Sequence, residues 1–182
     1  CRSRGMTVFL VTNGTNPDKI AALDTMPSQL YVTVAAPDKE TYRKACRPKI
    51  ADGWERINET LALMPSLETR TVIRHTLVQG LNLFNVDGYA SLDRIADPDL
   101  VEPKGYVFVG GSRQRLTVDG MPSFDTVLNF TKELGEKLGM SVLKEKKDSR
   151  VALLGYPGTE LKTSLAWEKG ETFSRRIPGG KD

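Results

Sequence analysis

Two cations stand inside apolar, strand-like stretches of the sequence: Arg74 within residues 71–78 and Lys104 within residues 101–109. A charge in such a place needs a partner, because an unpaired buried ion is strongly unfavourable. Glu102 is one candidate, which would make a purely structural ion-pair network. Alternatively, Arg74 binds a carboxylate or a ribose of a ligand. Lys104 is then a catalytic residue that binds an acid or forms a Schiff base with a keto substrate. Both interpretations stay open.

Two glycine-containing loops follow strand-like stretches and offer groups that bind ligands. In Thr-Asn-Gly-Thr at 12–15, Gly14 frees backbone N–H groups and Asn13 offers both a donor and an acceptor. The alternative is a simple Asn-Gly turn. Gly-Gly-Ser-Arg-Gln-Arg at 110–115 is suited to holding phosphate through backbone N–H groups and two guanidinium groups, or it is a solvated loop.

The scarcity of histidine and cysteine excludes several kinds of site. One histidine, His75, and two cysteines, Cys1 and Cys46, cannot build a four-Cys zinc site, a disulfide framework or an iron–sulfur site unaided. His75 falls on the apolar face of its strand and is predicted to be a core residue, and Cys46 is predicted to be structural. The net charge of +3 permits an RNA partner without requiring one. No apolar stretch approaches the ~18 residues of a membrane span, so no membrane partner is expected.

Strand-like and helical patterns alternate along the chain. Strands are predicted at 8–11, 30–34, 71–78, 101–109 and 151–154, and helices from 16, at 38–45, at 52–64, at 84–95 and at 122–138. This alternation predicts βαβ units, right-handed crossovers and a parallel sheet whose strands end at one rim.

Side-chain alternation along these strands predicts one polar sheet face, which carries Thr33, Arg74, Thr76, Glu102 and Lys104. A buried parallel sheet is normally apolar on both faces. We therefore expect the sheet to curve around a ligand held on its polar face.

Several stretches, taken in order, resemble the tRNA 4-demethylwyosine synthases, a radical S-adenosylmethionine family of wyosine and wybutosine biosynthesis. They are VFLVTNGTNP at 8–17, QLYVTVAAPD at 29–38, CRP at 46–48, GWER at 53–56, RTVIRHTLVQGLN at 70–82, KGY at 104–106 and GGSR at 110–113. The resemblance covers roughly residues 5–154.

The resemblance implies an α/β fold, a partial (β/α)₆ barrel with parallel strands. It implies a cytoplasmic carbon–carbon lyase that joins pyruvate carbons to N1-methylguanosine of phenylalanine tRNA. The cofactors would be S-adenosylmethionine, source of a 5′-deoxyadenosyl radical, and [4Fe–4S] clusters. Four residues would hold S-adenosylmethionine (Asn13, Thr33, Arg74 and Thr76), and three would bind tRNA (Ser112, Arg113 and Arg115).

The sequence also departs from the family pattern. The cluster-binding Cys-x₃-Cys-x₂-Cys loop, the cysteines of a second cluster and a glycine/glutamate segment are missing, and Gly111 stands where the family has glutamate. We therefore expect residues 1–155 to be the C-terminal part of the barrel, with strands three to six plus a terminal strand, and 156–182 to be an irregular tail.

Such a piece would need the N-terminal part of the same enzyme and would be inactive alone. Its open strand edges predict self-association or poor solubility. The alternatives are a different radical S-adenosylmethionine enzyme, an aldolase-type barrel that uses Lys104, and a non-catalytic half-barrel that binds RNA or a nucleotide.

Overall fold

A computed structural model describes residues 4–159 and residue 161. Its framework is a six-stranded sheet in the order β1-β2-β3-β4-β6-β5. The strands are β1 (Phe9–Thr12), β2 (Gln29–Thr33), β3 (Arg70–Leu77), β4 (Leu100–Gly105), β5 (Ser141–Lys146) and β6 (Val151–Gly155). The first four strands are parallel, whereas β6 runs antiparallel to both β4 and β5.

Five α-helices connect or follow the parallel strands: α1 (Pro17–Ala21), α2 (Lys39–Cys46), α3 (Gly53–Leu63), α4 (Val86–Ala96) and α5 (Phe124–Leu138). Three begin at residues whose side chains accept a hydrogen bond from a first-turn N–H, namely Asp38, Asn85 and Ser123. Helix α5 ends at Gly139, whose left-handed backbone suits glycine. The predicted helices are all present, with bounds shifted by a few residues at most.

The helices form a layer on one face of the sheet, because successive right-handed crossovers place every helix on the same side. That face carries Leu30, Val32, Ile73, Val101 and Leu154, which are all buried. They form two adjoining cores, one packed with Ile57 and Leu61 of α3 and the other with Val127 and Leu134 of α5.

The opposite face has no helix against it in residues 4–159. Phe9 and Val11 on this face are 57% and 55% exposed, and Thr33, Arg74 and Lys104 are half-buried. The predicted polar face is therefore the face that no helix covers in the described residues, and it is the candidate surface for ligand binding. No helix in the described residues is long and apolar enough to cross a membrane.

The C-terminal part of the sheet differs from the sequence prediction. Residues 141–146 form β5, which had no predicted counterpart, and β5 with β6 makes an antiparallel hairpin on a sheet predicted to be parallel. Strand β4 ends at Gly105, so residues 106–109 are not strand as predicted. The predicted tail at 156–182 lies mostly outside the described residues, as does Cys1.

The two edges of the sheet have opposite chemistry. Strand β1 presents Phe9, Leu10 and Val11 with no strand on its outer side in the described chain. Strand β5, at the other edge, carries exposed Lys144 and Lys146. Lysines on an edge strand discourage pairing with further strands, whereas an apolar edge invites it.

Candidate functional site

Polar residues form two rows across the uncovered face because the strands are in register. Thr33 of β2 lies beside Arg74 of β3, and Arg74 lies beside Glu102 of β4. One step nearer the carboxyl end, Thr76 lies beside Lys104. The structure thus brings together four of the predicted site residues, on neighbouring strands and facing the same way.

Arg74 is held by both a carboxylate and an aromatic ring. Its Nε donates to Glu102 Oε1 at 2.7 Å, and its guanidinium carbon lies 4.6 Å from the centre of the Tyr31 ring. The Arg74–Glu102 pair of the structural interpretation is therefore formed. In the described residues the terminal guanidinium nitrogens have no hydrogen-bond partner, so this pair orients a cation that can still bind an anion.

Lys104 does not join that ion pair. It is half-buried between Thr76 of β3 and Val151 of β6, and it forms no salt bridge within residues 4–159. The predicted network around Glu102 therefore includes Arg74 alone. Lys104 is left as a partly desolvated cation on the same face, which is a suitable partner for a small carboxylate.

A cleft of about 450 Å³ opens where β1 and β2 end. Asn13, Thr15, Thr33 and Ala35 form its floor, and α2 with the following loop forms its other wall. The wall residues are Tyr42, Cys46, Pro48, Lys49 and Ile50, joined by Ile57 of α3. Two predicted S-adenosylmethionine ligands, Asn13 and Thr33, line this cleft, whereas Arg74 and Thr76 lie on the uncovered face outside its lining.

The loop after β1 is a turn stabilised by its own side chains. Asn13 Oδ1 accepts from the N–H and the hydroxyl of Thr15, at 3.2 and 2.8 Å. Gly14 has φ +72°, and an added Cβ would lie 3.1 Å from Val32 Cγ1. The Asn13 side-chain oxygen is therefore used within the turn, as the turn interpretation predicts. The exposed amide nitrogen of Asn13 has no hydrogen-bond partner in the described chain and can still donate to a ligand.

Cys46 lies at the mouth of the cleft. The residue is exposed overall, yet its surroundings bury the sulfur enough to raise the pKa of the thiol, and the charge of Arg115 only partly opposes this. The thiol is therefore protonated near neutral pH and is not an activated nucleophile. The influence of Arg115 also shows that the loop after β4 approaches the loop after α2 at this rim.

The loop after β4 contains the residues predicted to bind tRNA. The Ser112 hydroxyl accepts from the Tyr106 hydroxyl and donates to the Val109 carbonyl, so it stabilises the loop itself. Arg113 Nε donates to the Phe108 carbonyl at 3.2 Å, and its guanidinium lies 5.4 Å from the Phe108 ring centre. Arg115 is exposed. The loop is thus ordered by its own contacts, with both arginines at the surface.

A buried polar network lies behind the site on the helix side of the sheet. His75 is fully buried, as predicted, with Nδ1 2.8 Å from the Val34 carbonyl and Nε2 3.0 Å from Asp93 of α4. The Asn82 side chain accepts from Val78 N–H and donates to the carbonyls of Ala35 and Thr76. These bonds tie together the ends of β2 and β3, the strands that carry Thr33 and Arg74.

Comparison with known proteins agrees with the sequence resemblance. A family model described as wyosine base formation matches residues 95–155. The S-adenosyl-L-methionine-dependent tRNA 4-demethylwyosine synthase of Pyrococcus abyssi is 47% identical over 155 residues, which are 83% of this chain and 45% of that protein. Over most of its length, the chain matches about half of a tRNA 4-demethylwyosine synthase. The synthase of Methanocaldococcus jannaschii is 37% identical, over 88% of this chain and 50% of that protein.

Solved structures of the same family share the fold. A structure of TYW1 with a lysine–pyruvate adduct bound matches with a TM-score of 0.77 and 32% identity, covering 91% of this chain and 51% of that one. A crystal structure of archaeal TYW1 matches with a TM-score of 0.69 and 30% identity, over 87% and 50% of the two chains. The chain thus spans about half the length of the archaeal relatives that it matches. Its mixed sheet corresponds to about half of the fold of these two structures.

The two cofactors implied by the family fit this chain differently. The described residues hold no group of three or more His, Cys, Asp and Glu side chains that could bind a metal, and the whole chain has two cysteines. An iron–sulfur cluster therefore does not fit these residues. S-adenosylmethionine does fit, because the cleft has the volume of a small-molecule site and polar groups at its floor.

Sequence reasoning missed several residues around the site. Lys49 and Ile50 line the cleft from an irregular loop, where no periodicity shows which way a side chain points, and Tyr42 lines it from α2. Asp93 was detectable, since it is an acid within the apolar stripe of α4. Tyr31, which lies under Arg74, shares a predicted strand face with Thr33, although its contact depends on the register between β2 and β3.

Proposed function

We propose that this chain supplies the C-terminal part of the catalytic barrel of a tRNA 4-demethylwyosine synthase. The complete enzyme would join pyruvate carbons to N1-methylguanosine of phenylalanine tRNA. The observation that carries the proposal is an uncovered polar sheet face next to a cleft, in a chain 47% identical to the Pyrococcus abyssi synthase over 83% of its length.

S-adenosylmethionine would occupy the cleft and the adjoining row of polar residues. Its ribose hydroxyls and amino-acid group need both donors and acceptors, which Asn13 and Thr33 offer at the cleft floor. Arg74, fixed by Glu102 and Tyr31, would bind the methionine carboxylate, and Thr76 would add a hydroxyl. When bound, this cofactor supplies the radical that abstracts hydrogen from the N1-methyl group.

The cluster that cleaves S-adenosylmethionine would come from the N-terminal part of the same enzyme. That part would pair with the apolar edge of β1, which is the free edge of the sheet nearest Asn13. The chain alone would accordingly be inactive. Anaerobic reconstitution with iron and sulfide tests this, because a cluster absorbance near one equivalent per chain would refute it.

Lys104 would bind the pyruvate carboxylate. It is a half-buried cation with Thr76 beside it and no ion-pair partner in residues 4–159. A structure of TYW1 has a lysine–pyruvate adduct bound, which supports pairing a lysine of this chain with pyruvate. Lys104 could bind the carboxylate or form a Schiff base, and borohydride reduction in the presence of pyruvate distinguishes these roles. A covalent pyruvate adduct on Lys104 would show that it forms a Schiff base and would refute simple carboxylate binding.

The whole proposal is tested with a chimera in which this chain replaces its matching region in the Pyrococcus abyssi synthase. We expect the chimera to convert N1-methylguanosine in tRNA to 4-demethylwyosine when pyruvate and S-adenosylmethionine are supplied, as measured by nucleoside mass spectrometry. Arg74→Gln should abolish product, whereas Arg94→Gln, at the far end of α4, should not. A chimera that holds its cluster and cleaves S-adenosylmethionine but forms no 4-demethylwyosine would refute the proposal.

A further inference from the structure

The loop after β4, residues 107–121, carries three exposed valines. Val107, Val109 and Val118 are 39%, 56% and 59% exposed. Surface loops are usually polar, and apolar side chains concentrated in one of them indicate an interaction surface. An ordered loop of this kind needs an occupant with apolar faces.

Charge around this loop indicates what the occupant is. Arg113 and Arg115 belong to the loop, and Arg47 and Lys49 are exposed on the neighbouring loop after α2. The loop has one carboxylate of its own, Asp119. Cations interleaved with apolar side chains match single-stranded nucleic acid, which presents phosphates together with unstacked bases.

The guanidinium of Arg113 is prepared to stack. Its guanidinium carbon lies over the Phe108 ring, 5.4 Å from the ring centre, and its Nε donates to the Phe108 carbonyl at 3.2 Å. These two contacts hold the exposed guanidinium beside Phe108 at the surface of the loop. Gly110 and Gly111 have no atom within 4 Å of the position of an added Cβ, so the approach beside them is open.

We propose that this loop is a single-stranded RNA platform on which an unpaired base stacks on Arg113, with Phe108 supporting the guanidinium from below. The inference rests on the proposed function and deepens it, because RNA held here would lie beside the cleft. In this arrangement Arg113 stacks on a base as well as contributing its charge, and Phe108 positions Arg113.

The platform is tested by fluorescence anisotropy of this chain with two RNA probes, a hairpin with an unpaired loop and a blunt duplex of the same length. We expect the hairpin to bind more tightly. Arg113→Lys keeps the positive charge but removes the planar guanidinium, so the affinity for the hairpin should fall about fivefold or more. The affinity for the duplex and the salt dependence of binding should stay unchanged. Phe108→Leu should weaken hairpin binding in the same direction, and the matched variant Arg94→Lys should bind both probes like the parent.

Three outcomes would overturn the inference. The first is that the parent and Arg113→Lys bind the hairpin with equal affinity. The second is that Arg113→Lys loses the same affinity for the hairpin and for the duplex. The third is that the chain binds no RNA and instead self-associates in a way that Val109→Ser abolishes. The last would identify the loop as a protein interface. Failure here is distinguishable from failure of the proposed function, because the chimera would still form 4-demethylwyosine when only the platform is wrong.

Discussion

Replacing Asp93 with asparagine should change both the stability of the fold and its dependence on pH. The side chains of His75 and Asp93 are fully buried, and Nε2 lies 3.1 and 3.0 Å from the two carboxylate oxygens. Nδ1 faces the Val34 carbonyl, which can only accept a hydrogen bond, so Nδ1 carries a proton. When Nε2 is also protonated, the imidazolium donates to both neighbours.

The sign of the pH dependence follows from the pKa of His75. Burial disfavours the imidazolium, but the charge and hydrogen bond of Asp93, with the Val34 carbonyl, outweigh burial and raise the pKa above its ordinary value. A raised pKa in the folded state means that the pair stabilises the fold fully below the pKa of unfolded histidine, about 6.5. That contribution is lost as the pH rises through the folded pKa.

The expected loss follows from the bond that changes. In the variant, His75 is neutral and the new amide donates to Nε2, so a charge-assisted hydrogen bond worth about 1.5–3 kcal/mol becomes a neutral one worth about 0.5–1.5 kcal/mol. We expect the free energy of unfolding to fall by about 1–2 kcal/mol on the acid side of the histidine pKa. The deficit should narrow at alkaline pH, where the parent has lost the same contribution.

Urea unfolding, followed by tryptophan fluorescence and circular dichroism on both sides of that pKa, measures this deficit. Asp87→Asn is the matched control, because Asp87 lies on the same helix with its side chain 80% exposed. The control removes only the exposed Asp87–Lys137 ion pair, so any small change in stability should be the same on both sides of that pKa. A deficit that is constant with pH, or that grows in alkali, would show that the buried pair is not charged.

Three further predictions concern the strand ends and the free edge. Asn82→Ala leaves buried backbone groups without partners and should lower the free energy of unfolding by about 2–4 kcal/mol in urea titrations, whereas exposed Asn16→Ala should be nearly neutral. Gly14→Ala combines a positive φ with a close contact, so its melting temperature should fall further than that of Gly80→Ala, which has the same φ of +72° and open space. The parent chain should self-associate in light scattering, and Val11→Lys should shift it towards monomer. A monomeric parent would contradict this last expectation.

The strands and helices of the first four βα units were predictable because each carries a strong local signal. Alternation in β3 assigned Arg74 and Thr76 to one face and His75 to the other, and the burial of His75 confirms it. Strand β5 was missed because Ser141–Lys146 has three charged residues in six, which reads as a solvated surface rather than a strand. Its place at an edge makes those charges favourable, and position in a sheet is a tertiary property.

The site was only partly predictable for a similar reason. The polar row followed from strand parity, but whether Glu102 would pair with Arg74 or Lys104 depended on side-chain geometry that the sequence does not contain. The wall of the cleft comes from the irregular loop after α2, whose path over the ends of β1 and β2 is set by long-range packing.

The contrast between the two sheet edges has a practical consequence. A strand can add beside β1 but is discouraged beside β5, so the sheet grows in one direction only. A strand added to β1 would also place every second side chain on the polar face, next to Val11 and Asn13. Such an edge is the geometry sought for split-protein complementation, in which a separately expressed piece restores a binding site by completing a sheet, and ligand binding then reports the pairing.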